Sequence, residues 1–236
     1  MDSERLERFK ERCYVKISSL WKREGWYFDQ GKKKSPDYQK GRQSFLIGDY
    51  ACPEFGNVKT WNVTEKIDGT NIRVMYRQGV VTFGGRTNAA ILQPPLLKYL
   101  QDTFTDKSMG LAFPTVLGVD NVYDITLYGE GYGPKIQSCG SNYKQTVGFI
   151  LFDVRVGRHW VGRPMVKEVA AKLNIPMVPD LGRMTEDQIV DLVKSKPLSQ
   201  CSWQPQVMEG VVCRADPDVY FQNGFVVAFK LKCKEF

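Results

Sequence analysis

Thr64-Glu-Lys-Ile-Asp-Gly-Thr-Asn-Ile-Arg-Val74 sets a single lysine, Lys66, at the junction of two strand-like runs. Residues 61–65 read as one strand. Ile72, Val74 and Tyr76 alternate with polar residues and read as a second, half-buried one. Asp68-Gly69 between such runs is a hairpin signal, because glycine adopts the backbone angles of a tight turn without steric cost. The expectation is a hairpin with Lys66 at a sheet edge. On these residues alone, the lysine is either a solvated surface cation or a nucleophile held by the turn.

Working outward, residues 61–84 read as a meander, with a second turn at Gln78-Gly79. Pro94-Pro95 opens a helix carrying Leu96, Leu97, Leu100 and Phe104 on one side. Strands are predicted at about 121–130 and 147–156, helices at about 163–173 and 185–195, and closing strands near 207–214 and 225–232. Leu6, Phe9, Cys13, Ile17 and Leu20 fall at three- and four-residue steps, which predicts an amphipathic helix over about 3–22. A basic, turn-rich loop follows at 31–43. Strands gather towards both ends with helices between them, so the expected class is α+β, antiparallel β-sheets with flanking helices, and not a doubly wound sheet.

The 236 residues suffice for a substantial core, and the net charge of +7 admits a polyanionic partner such as nucleic acid. No apolar run reaches membrane-spanning length, and the charged N-terminus lacks a secretory apolar region, so the expected location is cytoplasmic, with no membrane partner. Six scattered cysteines without a C-x-x-C pair read as reduced thiols, not a zinc site. The single histidine, His159, argues against histidine-based triads. An enzyme here works with Lys, Asp, Glu and Arg. Leu127-Tyr-Gly-Glu-Gly-Tyr-Gly133 looks like a dinucleotide fingerprint, but Pro134 and the lack of a following apolar helix exclude it.

Five segments stand out: Lys66-Ile-Asp-Gly-Thr-Asn71, Gly84-Gly-Arg-Thr-Asn88, the Glu130 segment just quoted, Gly148-Phe-Ile-Leu-Phe-Asp-Val154, and the closing pair Met208-Glu-Gly-Val-Val212 and Phe229-Lys-Leu-Lys232. Taken singly, each is more simply a turn, a core aromatic or a wet strand face. In this order, over about residues 64–232, they resemble the covalent nucleotidyltransferase superfamily of polynucleotide ligases and capping enzymes, and most of all its ATP-dependent RNA ligase branch, similar to phage type 2 RNA ligases and RNA-editing ligases. The resemblance implies the nucleotidyltransferase (ligase adenylation domain) fold. It implies a single adenylyltransferase domain over 1–236, with 1–55 as an N-terminal extension. The expectation is a core with no C-terminal oligonucleotide-binding-fold or helical domain after Lys232. End-joining then leaves room for a partner protein supplying such a module, the chain itself being a monomer.

The implied activity joins RNA 5′-phosphate and 3′-hydroxyl ends, with ATP and Mg²⁺ or Mn²⁺. Lys66 is the implied nucleophile towards the α-phosphate of ATP. A free lysine is protonated near neutral pH and cannot attack. Lys230 and Lys232 close to Lys66 would disfavour its ammonium form and also neutralise phosphate charge. By the resemblance, Glu65, Ile67 and Asn71 help to place the nucleotide, Glu65 through its backbone at the adenine. Arg86 meets the ribose or the RNA 5′-phosphate, and Glu130 a ribose hydroxyl. Phe149 stacks on the adenine, with Phe152 the alternative. Glu209 holds the metal ion, and Asp68 and Gly69 shape the motif. A minimal DNA ligase, a capping guanylyltransferase and a non-catalytic RNA-binding module remain as alternatives.

Overall fold

The structure is a computed structural model, and it describes residues 13–23, 45–114, 124–157, 159–222 and 224–236. In chain order the strands are β1 (Ser18–Ser19), β2 (Trp21–Arg23), β3 (Phe45–Tyr50), β4 (Trp61–Lys66), β5 (Thr70–Arg77), β6 (Val80–Gly85), β7 (Ile125–Tyr132), β8 (Gly148–Val156), β9 (His159–Trp160), β10 (Asp180–Met184), β11 (Gly210–Ala215) and β12 (Ala228–Lys232). The α-helices are α1 (Pro94–Thr103), α2 (Asp106–Ala112), α3 (Gly140–Tyr143), α4 (Arg163–Leu173) and α5 (Glu186–Lys194). This is the expected α+β class, antiparallel sheets with few helices. None of the helices among the described residues is long and apolar enough to cross a membrane.

The chain divides into two compact units. One comprises Ile67–Val178, Cys201–Gln206 and, of the described N-terminal residues, 13–15. Its five strands lie in the order β6-β5-β7-β8-β9, all antiparallel. Alternation along the strands gives the sheet one apolar face. Ile72, Val74 and Tyr76 of β5, Ile125 and Leu127 of β7, and Phe149, Leu151 and Val154 of β8 pack with Leu96, Leu100, Met109, Val166 and Val169 from α1, α2 and α4, and with Phe104 just after α1. The β5–β6 hairpin closes as predicted: Gln78 and Gly79 both have positive φ, 48° and 82°, the pairing that matches the twist of two antiparallel strands.

The second unit comprises Lys16–Lys66, Pro179–Gln200 and Val207–Phe236. Its main sheet has the order β1-β12-β11-β4-β10, with β1 parallel to β12 and the other pairs antiparallel; β2 and β3 form a separate ribbon. Trp61, Val63, Val211, Cys213, Phe229 and Leu231 project from one face of that sheet onto Ile189 and Val193 of α5, with Leu20, Trp21 and Phe55 completing the core. Trp61 and Phe229 meet edge to face, ring centroids 4.6 Å apart.

Two sequence expectations are overturned. β4 and β5 do not pair, so no hairpin joins them: β4 lies inside its sheet between β11 and β10, while β5 pairs with β6 and β7. The apolar side chains of each strand are satisfied in a different core, Trp61 and Val63 in one and Ile72 and Val74 in the other. Gly69 accordingly is needed for close approach and not for a turn. A Cβ there would collide with the Gly131 carbonyl oxygen and lie 2.7 Å from Glu130 Cγ. The helix expected over 3–22 is likewise absent from residues 13–22, which are extended and contribute β1 and the start of β2; residues 3–12 and the basic loop at 31–43 lie outside the described residues. Ile17 and Leu20 flank a strand whose partner, β12, is more than 200 residues away, so local periodicity misread a long-range pairing.

Gly129 supplies a test of the packing between β7 and β8. A Cβ at that position would run into the Phe149 ring and come within 2.5 Å of the Ile150 carbonyl oxygen. Gly129→Ala is expected to destabilise the protein by about 1–3 kcal/mol. Phe149→Leu should cost less in the Gly129→Ala background than alone, because it removes the ring that clashes. Urea denaturation of the four proteins of the cycle measures both effects.

Candidate active site

Three of the sequence-predicted residues meet across neighbouring strands. Lys66, the last residue of β4, stands opposite Gly210 of β11, and Gly210 stands opposite Lys232 of β12. Two residues along, Thr64, Val212 and Lys230 form the adjacent row. Val63, Val211, Cys213 and Leu231 point into the core, so alternation carries Lys66, Lys230 and Lys232 to the opposite face. Glu209, which leads into β11, bridges the row: Oε2 is 2.6 Å from Lys66 Nζ and Oε1 is 2.6 Å from Lys232 Nζ. Its side chain is only 11% exposed. Glycine follows it by necessity, since a Cβ on Gly210 would strike the Leu231 carbonyl oxygen and sit 2.6 Å from Lys232 Cα.

One carboxylate thus faces a face of three ammonium groups. Lys230 carries the imbalance. Burial lowers its pKa from 10.5 to about 8, with Lys66, Lys232 and Lys16 acting in the same direction and Glu235 against it.

Glu65 is buried beside Lys66 in the chain, and its carboxylate accepts from Ser199 Oγ at 2.5 Å and the Gln200 N–H at 2.8 Å. Its own N–H donates to the Pro179 carbonyl at 3.0 Å. The side chain therefore anchors the loop after α5, a role that its place in the motif does not reveal.

The other predicted residues belong to the unit built on β5 to β9. Asn71 and Glu130 are directly opposed on β5 and β7, on the sheet face away from the helices. Asn71 Oδ1 is buried without a hydrogen-bond partner, and Glu130 is half-buried. Arg86 is exposed immediately after β6. Ile67 is buried among Tyr132, Tyr143, Ile150 and Val178. The Asp68 N–H donates to Tyr143 Oη at 3.3 Å, and Gln137 Nε2 to the Gly69 carbonyl at 3.0 Å, so this motif is tied down by its backbone.

Phe149 is fully buried on the helix-covered face, its ring centroid 5.2 Å from that of Phe104. A ring enclosed in that core has no face to offer an adenine. Phe152 is the extra residue where the β7–β8 register shifts, and it is half-buried. Strict alternation already puts Phe149 and Phe152 on opposite faces, but it does not say which face the helices cover, so sequence alone left the two open. Sequence reading also passed over Tyr14, whose hydroxyl donates to Asp153 Oδ2 at 2.6 Å and whose ring lies 5.1 Å from that of Phe152, and the buried Arg73. Asp153 directly follows Phe152 in the aromatic strand, the one signal that could have drawn attention to it.

Among the described residues no group of three or more His, Cys, Asp and Glu could hold a metal. Glu209 alone offers a hard oxygen donor in the lysine row. A single carboxylate suits a Mg²⁺-type cation that takes its remaining ligands from phosphate and water.

The sign of the Lys230 shift yields a stability test. A lysine whose pKa is lower folded than unfolded destabilises the fold below about pH 8, and the cost fades as pH rises towards 10.5. Lys230→Met should raise stability by about 1 kcal/mol near pH 7, after discounting for solvent screening. The gain should shrink between pH 8 and 10.5, as read from paired thermal melts of wild type and variant.

The sequence matches the family model described as RNA ligase over residues 59–232. In structure, the chain resembles Naegleria gruberi RNA ligase with PPi, with TM-score 0.53 and 21% identity over 74% of this chain and 49% of that one. A lysine-to-methionine mutant of the same ligase with AMP and Mn gives TM-score 0.54 and 20% identity over 76% and 51%. A lysine-to-alanine mutant with ATP and Mn gives 0.53 and 19% over 74% and 49%. The chain spans about half the length of these structures, and at such identities the likeness establishes the nucleotidyltransferase-type fold. Among curated proteins no sequence matches. With most of its length matched by that family model, the chain belongs to the RNA ligase family.

Proposed function

We propose that the protein is an ATP-dependent RNA ligase that joins a 5′-phosphate to a 3′-hydroxyl through lysyl-AMP and RNA-adenylate intermediates. The observation that carries this reading is the Glu209 carboxylate held between Lys66 and Lys232, with Lys230 in the next row. Solved relatives with ATP, AMP, PPi and Mn support nucleotide and divalent-metal chemistry here.

In the first step Lys66 Nζ attacks the α-phosphorus of ATP; a P–N bond forms, the α–β P–O bond breaks and pyrophosphate leaves. The amine must lose a proton to attack. Glu209 Oε2, 2.6 Å away, is an acceptor within hydrogen-bond reach. Lys230 and Lys232 neutralise charge on the phosphate oxygens, the kind of fixed electrostatics that dominates phosphoryl-transfer catalysis. A divalent cation would be held by Glu209 and phosphate oxygens, and would supply further charge neutralisation. In the second step a 5′-phosphate oxygen of RNA attacks the same phosphorus, the P–N bond breaks and Lys66 recovers its proton. In the third, the 3′-hydroxyl oxygen attacks the RNA 5′-phosphorus and AMP leaves. Asn71 and Glu130 bind the nucleotide, Arg86 the ribose or the 5′-phosphate, and Phe152 offers the ring for the adenine.

The decisive experiment is intact-mass measurement before and after incubation with ATP and Mg²⁺, then with pyrophosphate. The expected result is an AMP adduct on Lys66, reversed by pyrophosphate and absent in Lys66→Ala. Labelling at another residue, or with GTP only, overturns the reading, and joining of nicked DNA in place of RNA corrects the substrate. Lys66→Ala is expected still to seal pre-adenylated RNA, because the final step needs no lysine nucleophile. Phe152→Leu should raise the KM for ATP about 10-fold, on the order of one lost stacking contact, while Phe149→Leu should lower thermal stability and leave that KM within about twofold.

A further inference from the structure

Arg73 is only 1% exposed, in the middle of β5, on the sheet face that also carries Asn71. It lies opposite Gly84 of β6 and Tyr128 of β7. Its guanidinium forks into the Gly84-Gly-Arg-Thr-Asn88 segment: Nε donates to the Gly85 carbonyl at 2.7 Å and Nη2 to Asn88 Oδ1 at 2.9 Å. A Cβ on Gly84 would come 3.0 Å from Nη2 and 3.5 Å from Cζ, so that glycine leaves room for the fork. The Ala90 N–H bonds back to the Thr87 carbonyl at 3.2 Å, closing the turn. The segment is thus pinned on both sides of Arg86, which is itself exposed.

We propose that Arg73 is a positioning residue: it fixes the backbone of Gly85 and the side chain of Asn88 so that Arg86 is held ready for a phosphate-bearing ligand. This inference rests on the assignment of Arg86 to nucleotide or RNA 5′-phosphate binding. Burying a guanidinium is unfavourable unless its donors are used, and Nη1 here has no hydrogen-bond partner. An apolar residue at this strand position would serve the sheet at least as well. What only arginine provides is a planar fork reaching two acceptors three residues apart, and a lysine, with one point-like ammonium, cannot reproduce it. The residues that flank Arg86 in the motif are then shaped by Arg73, and the ligand contact falls to Arg86.

The test is a set of double-mutant cycles read by single-turnover formation of the AMP adduct and by joining of 5′-phosphorylated RNA. Arg73→Lys and Asn88→Ala, each alone, should lower the rate of the Arg86-dependent step about 10-fold. In the Arg86→Ala background, each should change that rate by less than about twofold, because the group they position is gone. A merely structural role would lower the thermal midpoint and multiply with Arg86→Ala; multiplicative effects therefore overturn the proposal. Should Arg73→Lys fail to fold, the exposed Asn88 decides alone: an Asn88→Ala protein with unchanged rates overturns it equally. Wild-type protein that forms no adduct on Lys66 refutes the ligase reading itself, and this inference with it. Normal adduct formation with uncoupled mutants refutes only the positioning role.

Discussion

A single carboxylate between two ammonium groups is the constraint around which this protein is arranged. Antiparallel register alone brings Lys66 and Lys232 to the two sides of Gly210, and alternation adds Lys230 on the same face. Without an anion such a cluster of partly buried cations would be repelled apart or into solvent. Glu209 supplies that anion with one oxygen for each of two lysines, 2.6 Å away in both cases, and in charge-assisted geometry. For the third lysine, burial and the repulsion of its neighbours outweigh the attraction of Glu235, and its pKa falls to about 8. The Trp61, Val63, Val211, Phe229 and Leu231 layer behind the lysines has to hold this arrangement against its own electrostatics. The gathered cations thus work against the stability of the sheet that carries them.

How much of this was legible depended on whether the deciding contact was local. Strand and helix positions carried by periodicity came through within a few residues: α4 at Arg163–Leu173, α5 at Glu186–Lys194 and β8 at Gly148–Val156. The grouping of Lys66, Glu209 and Lys232 was also readable, because the order of motifs carried it. The hairpin after Lys66 was not. Trp61 and Val63 look like half of a strand pair with Ile72 and Val74, and nothing local says that the two strands go to different sheets. Phe149 and Phe152 stand an odd number of residues apart and so fall on opposite faces, and only the packing shows which face is enclosed.

Small residues in the motifs repay the same scrutiny. Gly69, Gly84 and Gly210 each stand where a Cβ would meet a carbonyl, a carboxylate stem or a guanidinium. Their neighbours Asp68, Asn88 and Glu209 are easily read as ligands because they are polar. In the fold, Asp68 is engaged through its backbone N–H and Asn88 through Arg73. The Glu209 side chain is the one of these three that pairs with the Lys66 amine. Motif residues thus divide into those that leave room for close approach and those whose side chains make the polar contacts, and only the packing distinguishes them.

That division accounts for the four-residue run Lys66-Ile-Asp-Gly69. Lys66 ends β4 in register with Gly210, and its amine is fixed by Glu209. Directly after it Ile67 is buried, the Asp68 N–H is taken by Tyr143, and the Gly69 carbonyl is taken by Gln137, all within the unit that begins at Ile67. The run is anchored at both ends, each within its own unit. The conspicuous Asp-Gly pair is therefore a fit against β7, not a turn. The lysine owes its place to sheet register, and the hairpin that the sequence suggests is not what holds it.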